Sequence, residues 1–281
     1  MTVKVVTDST FDIPPELAQE LGITVIPLHV VFGEKSYRDG VDISKDEFYD
    51  MLINGPVHPS TSVPSPQEFA EAYNRLAGET DEIISIHLTS KESGTYNSAL
   101  LGSELVDKKC RVEVIDSYTL SVGCGLLVIA AAQEAKNGAS LDTVTESVRG
   151  AIPRTHVLIL LDTLKYVIRG GRLSKAQGLL GTALRVRPLL TIKDGELVQS
   201  GVARTKAKAE ERLYRFATGF SRVKAIAVTY TTLQDEAKGL ADRIKRSFPD
   251  APIYLTRVGA TLGTHAGPGA MGVAIIEDEA L

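Results

Sequence analysis

Short β-branched and aliphatic runs alternate with helix-like stretches through the first half of the chain. Val3 to Thr7 predicts a strand, Asp8-Ser9-Thr10 a polar loop, and Pro14 with Pro15 the start of a helix that Gly22 can end. Ser44 with Glu47 and Ser65 with Glu68 have capping-box spacing, the second with Pro66 at the first helical position, so helices are expected at both. Ile83 to Leu88 reads as a buried strand, followed by Ser93-Gly94-Thr95 and a helix to about Val106. A strand at Val112 to Ile115 and a long helix from about Ser121 to Lys136 complete the series. Strands alternating with helices predict a doubly wound, mostly parallel sheet.

The rhythm changes at His156. An apolar strand to Leu161 leads to Arg169-Gly170-Gly171-Arg172, then a leucine-rich helix, then two apolar strands around Asp194-Gly195, a dipeptide that favours a tight hairpin. Pairing there is expected to be antiparallel. Helices at about Lys206 to Thr218 and Gln234 to Ser247 flank a strand at Ala225 to Thr231. A glycine-rich loop around His265 then leads to an apolar strand near Gly272 to Ile276. The chain is thus expected to be an α/β protein of two lobes. Residues 1–151 form a doubly wound, mostly parallel lobe, and residues 152–281 an α/β lobe with mixed or antiparallel pairing. A length of 281 residues fits two lobes better than one.

Composition narrows the class. Hydrophobic residues make up 43% and charged residues 23%, ordinary for a globular protein, and the longest apolar stretch, Leu126 to Ala132, is far too short to span a bilayer. It predicts a buried helix and no membrane insertion. The net charge of -4 argues against general nucleic-acid binding. Asp8, Asp12, Glu16 and Glu20 stand where a secretory signal would be basic and then apolar, so a cytoplasmic protein is expected. Cys110 and Cys124 fit no metal-ligand spacing and read as thiols of a reducing compartment.

Candidate chemistry lies at the strand ends. Asp8-Ser9-Thr10, Thr61-Ser62 and Ser93-Gly94-Thr95 cluster small hydroxyls, and in open α/β sheets ligands bind at the carboxyl edge. Ser93, where a helix begins, has free amides and a favourable dipole beside it for an anion, or it simply caps the helix. His265, among glycines that permit close backbone approach, is either a hydrogen-bond donor or base, or a structural histidine. Arg169 and Arg172, with Lys175, Arg185, Arg187, Arg204, Lys206 and Lys208, make the densest basic region, either a solvated face or a site for an anion or partner. Walker, GxGxxG, HExxH and nucleophile-elbow patterns are missing, so binding groups outnumber catalytic ones.

Together Thr7-Asp-Ser-Thr10, Thr61-Ser-Val-Pro-Ser65, Ser93-Gly-Thr-Tyr-Asn-Ser98, Arg169-Gly-Gly-Arg-Leu-Ser174 and Gly263-Thr-His-Ala-Gly-Pro-Gly269 resemble the signature segments of the DegV family, over essentially the whole chain. The resemblance implies a bacterial two-lobed protein that buries a long-chain fatty acid between its lobes. It also implies no catalysis by the protein itself and no metal or cofactor. Such a protein presents the acid to a fatty acid kinase catalytic subunit, which forms an acyl phosphate for phospholipid synthesis. By motif position, Thr61, Ser62, Ser93 and Gly94 would bind the carboxylate, with Arg169 and His265 in the surrounding network, and Arg172 and Arg204 would contact the kinase or its phosphate. Leu158 to Leu161, Leu179-Leu180 and Leu189-Leu190 are candidates for the tail tunnel. A monomer is expected. Two other readings use the same residues: a stand-alone serine hydrolase or acyltransferase with Ser93 activated by His265, and a lipid sensor acting on a protein partner.

Overall fold

The computed structural model of the chain describes residues 3–106, 110–172 and 186–278. The predicted leucine-rich helix, with Lys175, Leu179, Leu180 and Arg185, lies outside the described residues. So does Ser174 of the fourth signature segment.

The first sheet is fully parallel. Strands β1 (Lys4–Asp8), β2 (Thr24–Ile26), β6 (Glu82–His87) and β7 (Arg111–Asp116) run in the order β2-β1-β6-β7. Four helices connect or cover them: α1 (Pro15–Glu20), α3 (Pro66–Leu76), α4 (Thr95–Ser103) and α6 (Leu141–Ala151). The second sheet is mixed, with order β10-β9-β8-β13-β11-β12. Its strands are β8 (Thr155–Leu160), β9 (Arg187–Lys193), β10 (Glu196–Ala203), β11 (Val223–Tyr230), β12 (Ile253–Arg257) and β13 (Met271–Glu277), and only β11 and β12 pair in parallel. Helices α7 (Lys165–Arg169), α8 (Lys206–Ala217), α9 (Gln234–Ser247) and α10 (Ala260–Ala266) belong to this half.

Local signals explain many boundaries. Both capping boxes form: Ser44 caps α2 (Lys45–Asn54) and Ser65 caps α3, each exchanging hydrogen bonds with the glutamate three residues on. Asp194 and Gly195 both take positive φ, 52° and 82°, as a tight hairpin between β9 and β10 requires.

Helix α5 (Val122–Lys136) contains the predicted Leu126 to Ala132 stretch and is apolar on nearly all sides, because it packs between the two sheets. Cys124, Val128 and Ile129 join the core against β1 and α6, while Val122, Leu126 and Leu127 join the core against β8, β11 and β13.

Three parts of the fold differ from the sequence reading. Thr61-Ser62 is not in a loop but in β5 (Ser60–Ser62), paired antiparallel with β3 (His29–Phe32), which also pairs with β4 (Lys35–Arg38). The glycine-rich segment around His265 is the helix α10 for most of its length, since its glycines seat it against bulky neighbours. Helices α6 and α7 and strands β2, β3, β4 and β12 are additional elements.

Candidate functional site

Between the carboxyl ends of β2 and β6 and the face of the mixed sheet lies a cavity of about 160 Å³. Val157 and Ile159 of β8, Leu190 of β9 and Leu197 of β10 form one apolar wall, and Leu28, Val63 and Leu88 part of the opposite one. Alternation along β8 and β9 sorts the leucines: Ile159 and Leu190 face the cavity, while Leu158 and Leu189 pack on the other side against α8 and α9. Leu161 also lines it.

Thr61, Ser62, Ser93, Arg172 and His265 share this cavity. Thr61 Oγ1 and His265 Nε2 are 3.0 Å apart, although the residues are 204 positions apart in sequence. Burial, then the charges of Arg172 and His58, hold the His265 pKa down to about 4, so the ring is neutral near pH 7. Among the described residues, buried Nδ1 has no hydrogen-bond partner. Placing the proton on Nε2 makes it the donor to Thr61 and leaves only a lone pair unpaired, the less costly arrangement for a buried group. The Thr61 hydroxyl hydrogen is then free to turn into the cavity.

Arg172 bridges two elements, with Nη1 donating to the Gly170 carbonyl at 2.5 Å and Nε to the Glu92 carbonyl at 3.4 Å. Ser93 precedes the N-cap Gly94 of α4, and its hydroxyl lies 2.9 Å from Thr95 Oγ1. Arg169 stands exposed on the last turn of α7, and Arg204 stands exposed between β10 and α8; neither lines the cavity. The hydroxyl of Ser93 and Nε2 of His265 thus have their hydrogen bonds with threonines rather than with each other.

The helix that carries His265 is held from the first half of the chain. Asp12 Oδ1 accepts the Gly259 amide at 2.7 Å, and Asp39 accepts the amides of Ala260 and Thr261 at 3.0 and 2.9 Å. Ser121 donates to the second Asp12 oxygen, and Ser9 donates to Asp39 while accepting the Leu28 amide. Burial raises the Asp12 pKa to about 6, against the lowering effects of Lys45 and of these hydrogen bonds. Between pH 3.8 and 6 the folded chain therefore keeps a proton that the unfolded chain gives up, and this group makes the fold less stable as pH rises through that window. His265 acts oppositely between about 4 and 6.5. Asp12→Asn is expected to gain stability relative to the parent protein as pH rises from about 4 to 7, read from urea midpoints; parallel pH profiles for the two proteins would contradict this.

A second polar cluster lies beneath the first sheet. Tyr73 donates to Ser85 Oγ, Ser85 Oγ lies 2.7 Å from His87 Nε2, and His87 Nδ1 lies 2.9 Å from Asp8 Oδ2. Asp8 also accepts the Thr10 and Leu88 amides, fixing the start of the loop that carries Ser93. Asp8, Ser85 and His87 are all 0% exposed, so this Asp-His-Ser chain reaches no substrate and serves as framework.

The sequence model of the family described as "Uncharacterised protein, DegV family" matches residues 2–278. The chain belongs to the DegV family. A DegV domain-containing protein of Caldanaerobacter subterraneus is 39% identical over 274 residues, 96% of this chain and 97% of that one. Among solved structures, DegV from Bacillus subtilis, titled a fatty acid binding protein, superposes with a TM-score of 0.91 at 32% identity, over 99% of this chain and 100% of that one. A DegV family protein from Thermus thermophilus, whose title states fatty acid binding, gives 0.89 at 33% identity, over 99% and 100%. The fold of this chain, a parallel sheet beside a mixed one, is the DegV fold. Among the described residues, no helix is long and apolar enough to cross a membrane.

Several residues of this DegV site carry no sequence signal of their own. Glu92 and Leu28 line the cavity, and Asp12, Asp39 and Ser121 hold its histidine helix. In the structure Asp12 and Ser121 both take positive φ, 45° and 51°, which marks each as a constrained position.

Proposed function

We propose that this protein binds one long-chain fatty acid in the cavity and, as a cytoplasmic monomer, presents its carboxylate to a fatty acid kinase catalytic subunit for acyl phosphate formation. The observation that carries the reading is a mainly aliphatic cavity into which Thr61, Ser93, Arg172 and His265 are brought together. Fatty acid binding by the solved relatives supports it.

In this reading residues 1–151 supply the head-group loops and residues 152–281 the opposite wall. Thr61 donates its free hydroxyl hydrogen to the carboxylate, Ser93 and the amides at Gly94 add donors, Ser62 borders them, and Arg172 supplies a positive charge. Arg169 and Arg204, being exposed, are assigned to the surface that meets the kinase or its phosphate. Burying about fourteen methylenes at roughly 0.8 kcal/mol each yields a gross gain of order 11 kcal/mol before ordering costs, so affinity comes from the tail. The donors prevent an unpaired carboxylate from cancelling part of that gain.

Thr61→Val keeps the shape and removes the hydroxyl. It is expected to weaken fatty acid binding roughly tenfold, the effect of one hydrogen bond to a charged group. Competition against a fluorescent fatty acid reads this directly, and parental affinity in the variant would place the carboxylate elsewhere. For the kinase role, acyl phosphate should form only when the catalytic subunit, ATP and this protein are all present. Arg204→Ala is expected to slow that reaction without changing fatty acid affinity.

A further inference from the structure

Glu92 is a carboxylate in the wall of a cavity read above as a carboxylate site. It precedes Ser93, and its Oε1 accepts the Leu197 amide of β10 at 2.9 Å, so the loop bearing Ser93 is tied to the mixed sheet through this side chain. The same loop is tied a second time, by Thr89 Oγ1 donating to the Gly195 carbonyl at 2.8 Å. Arg172 reaches Glu92 from the opposite side, donating to its main-chain carbonyl. Burial pushes the Glu92 carboxyl up, the Leu197 amide lowers it, and among the described residues the charges acting on it are Arg172, favourably, and Glu196, unfavourably.

An ionised Glu92 carboxylate offsets the charge of Arg172, which acts on it favourably. With His265 neutral, Arg172 and Glu92 together bring no net charge to the site, although donors remain for a carboxylate. A singly charged head group leaves the site with one negative charge. A doubly charged one leaves two, next to a half-buried carboxylate whose field is only partly screened.

We infer that Glu92 is a specificity residue that makes this cavity favour singly charged head groups over doubly charged ones. The inference rests on the fatty acid reading of the cavity. One consequence is that an acyl phosphate is held less tightly than the acid from which it is made.

The test compares palmitate with hexadecyl phosphate, which have equal chain carbon counts, as competitors of a fluorescent fatty acid at pH 8, where the phosphate is a dianion. Glu92→Gln keeps an oxygen for the Leu197 amide and removes the charge. Its effect is felt about once by the carboxylate and twice by the phosphate, so the ratio of phosphate to palmitate affinity is expected to rise roughly tenfold, the size of one partly screened unit-charge interaction. Glu92→Ala adds a structural cost common to both ligands, so its ratio should rise by the same factor even if each binds more weakly. Palmitate bound by the parent protein with an unchanged ratio in both variants would overturn the role of Glu92 alone. Palmitate not bound at all would overturn the fatty acid reading, and the inference with it.

Discussion

Replacing Gly170 by alanine is expected to lower fatty acid affinity by roughly tenfold, the same order as losing the Thr61 hydroxyl that His265 orients. A Cβ at Gly170 would overlap His265 Nδ1 and stand 2.7 Å from Cε1 and 3.2 Å from Cγ of the same ring. The backbone at Gly170, φ -74° and ψ -5°, is open to any residue, so the cost is steric rather than conformational. Either α7 and α10 separate or the imidazole turns away, and both outcomes break the contact between His265 and Thr61. Gly171 provides the control. It has open space around it but a φ of +71°, so Gly171→Ala is expected to lose about 1 kcal/mol of stability and to keep parental binding. Equal affinities for Gly170→Ala and the parent protein would remove His265 from the site.

Asp39→Ala is expected to destabilise the fold by about 3 kcal/mol, because two amides at the start of α10 lose a charged acceptor in a buried setting. Fatty acid affinity should also fall, by roughly tenfold, since α10 positions His265. Urea unfolding and the same competition assay read the two effects. Lost stability with unchanged affinity would mean that Asp12 and the packing of Gly263 against Phe48 and Tyr49 suffice to hold the helix.

What could be read from the sequence was local. The capping boxes at Ser44 and Ser65, the Asp194-Gly195 turn and the start of α9 at Gln234 depend on residues a few positions apart, and they stand where the pattern put them. Strand β5 was illegible: three polar residues between prolines show no alternation, and its partner β3 is remote in the chain. Helix α10 read as a loop because glycine disfavours isolated helices, whereas Gly263 there makes room for two aromatic rings. At the site, the motif residues Thr61, Ser93, Arg172 and His265 do converge on one cavity. Arg169 differs from Arg172 in facing solvent, a distinction that depends on where α7 ends. Asp39 could not be found, since its partners lie 221 and 222 residues away and nothing beside it announces them.

The most direct test of the central claim is denaturing extraction of the protein purified from a bacterial host, followed by mass spectrometry. The expected result is a long-chain fatty acid at near one per chain, displaced or lost in Gly170→Ala. Protein that carries no fatty acid, and takes up none when incubated with saturated and unsaturated acids of several lengths, would contradict the account.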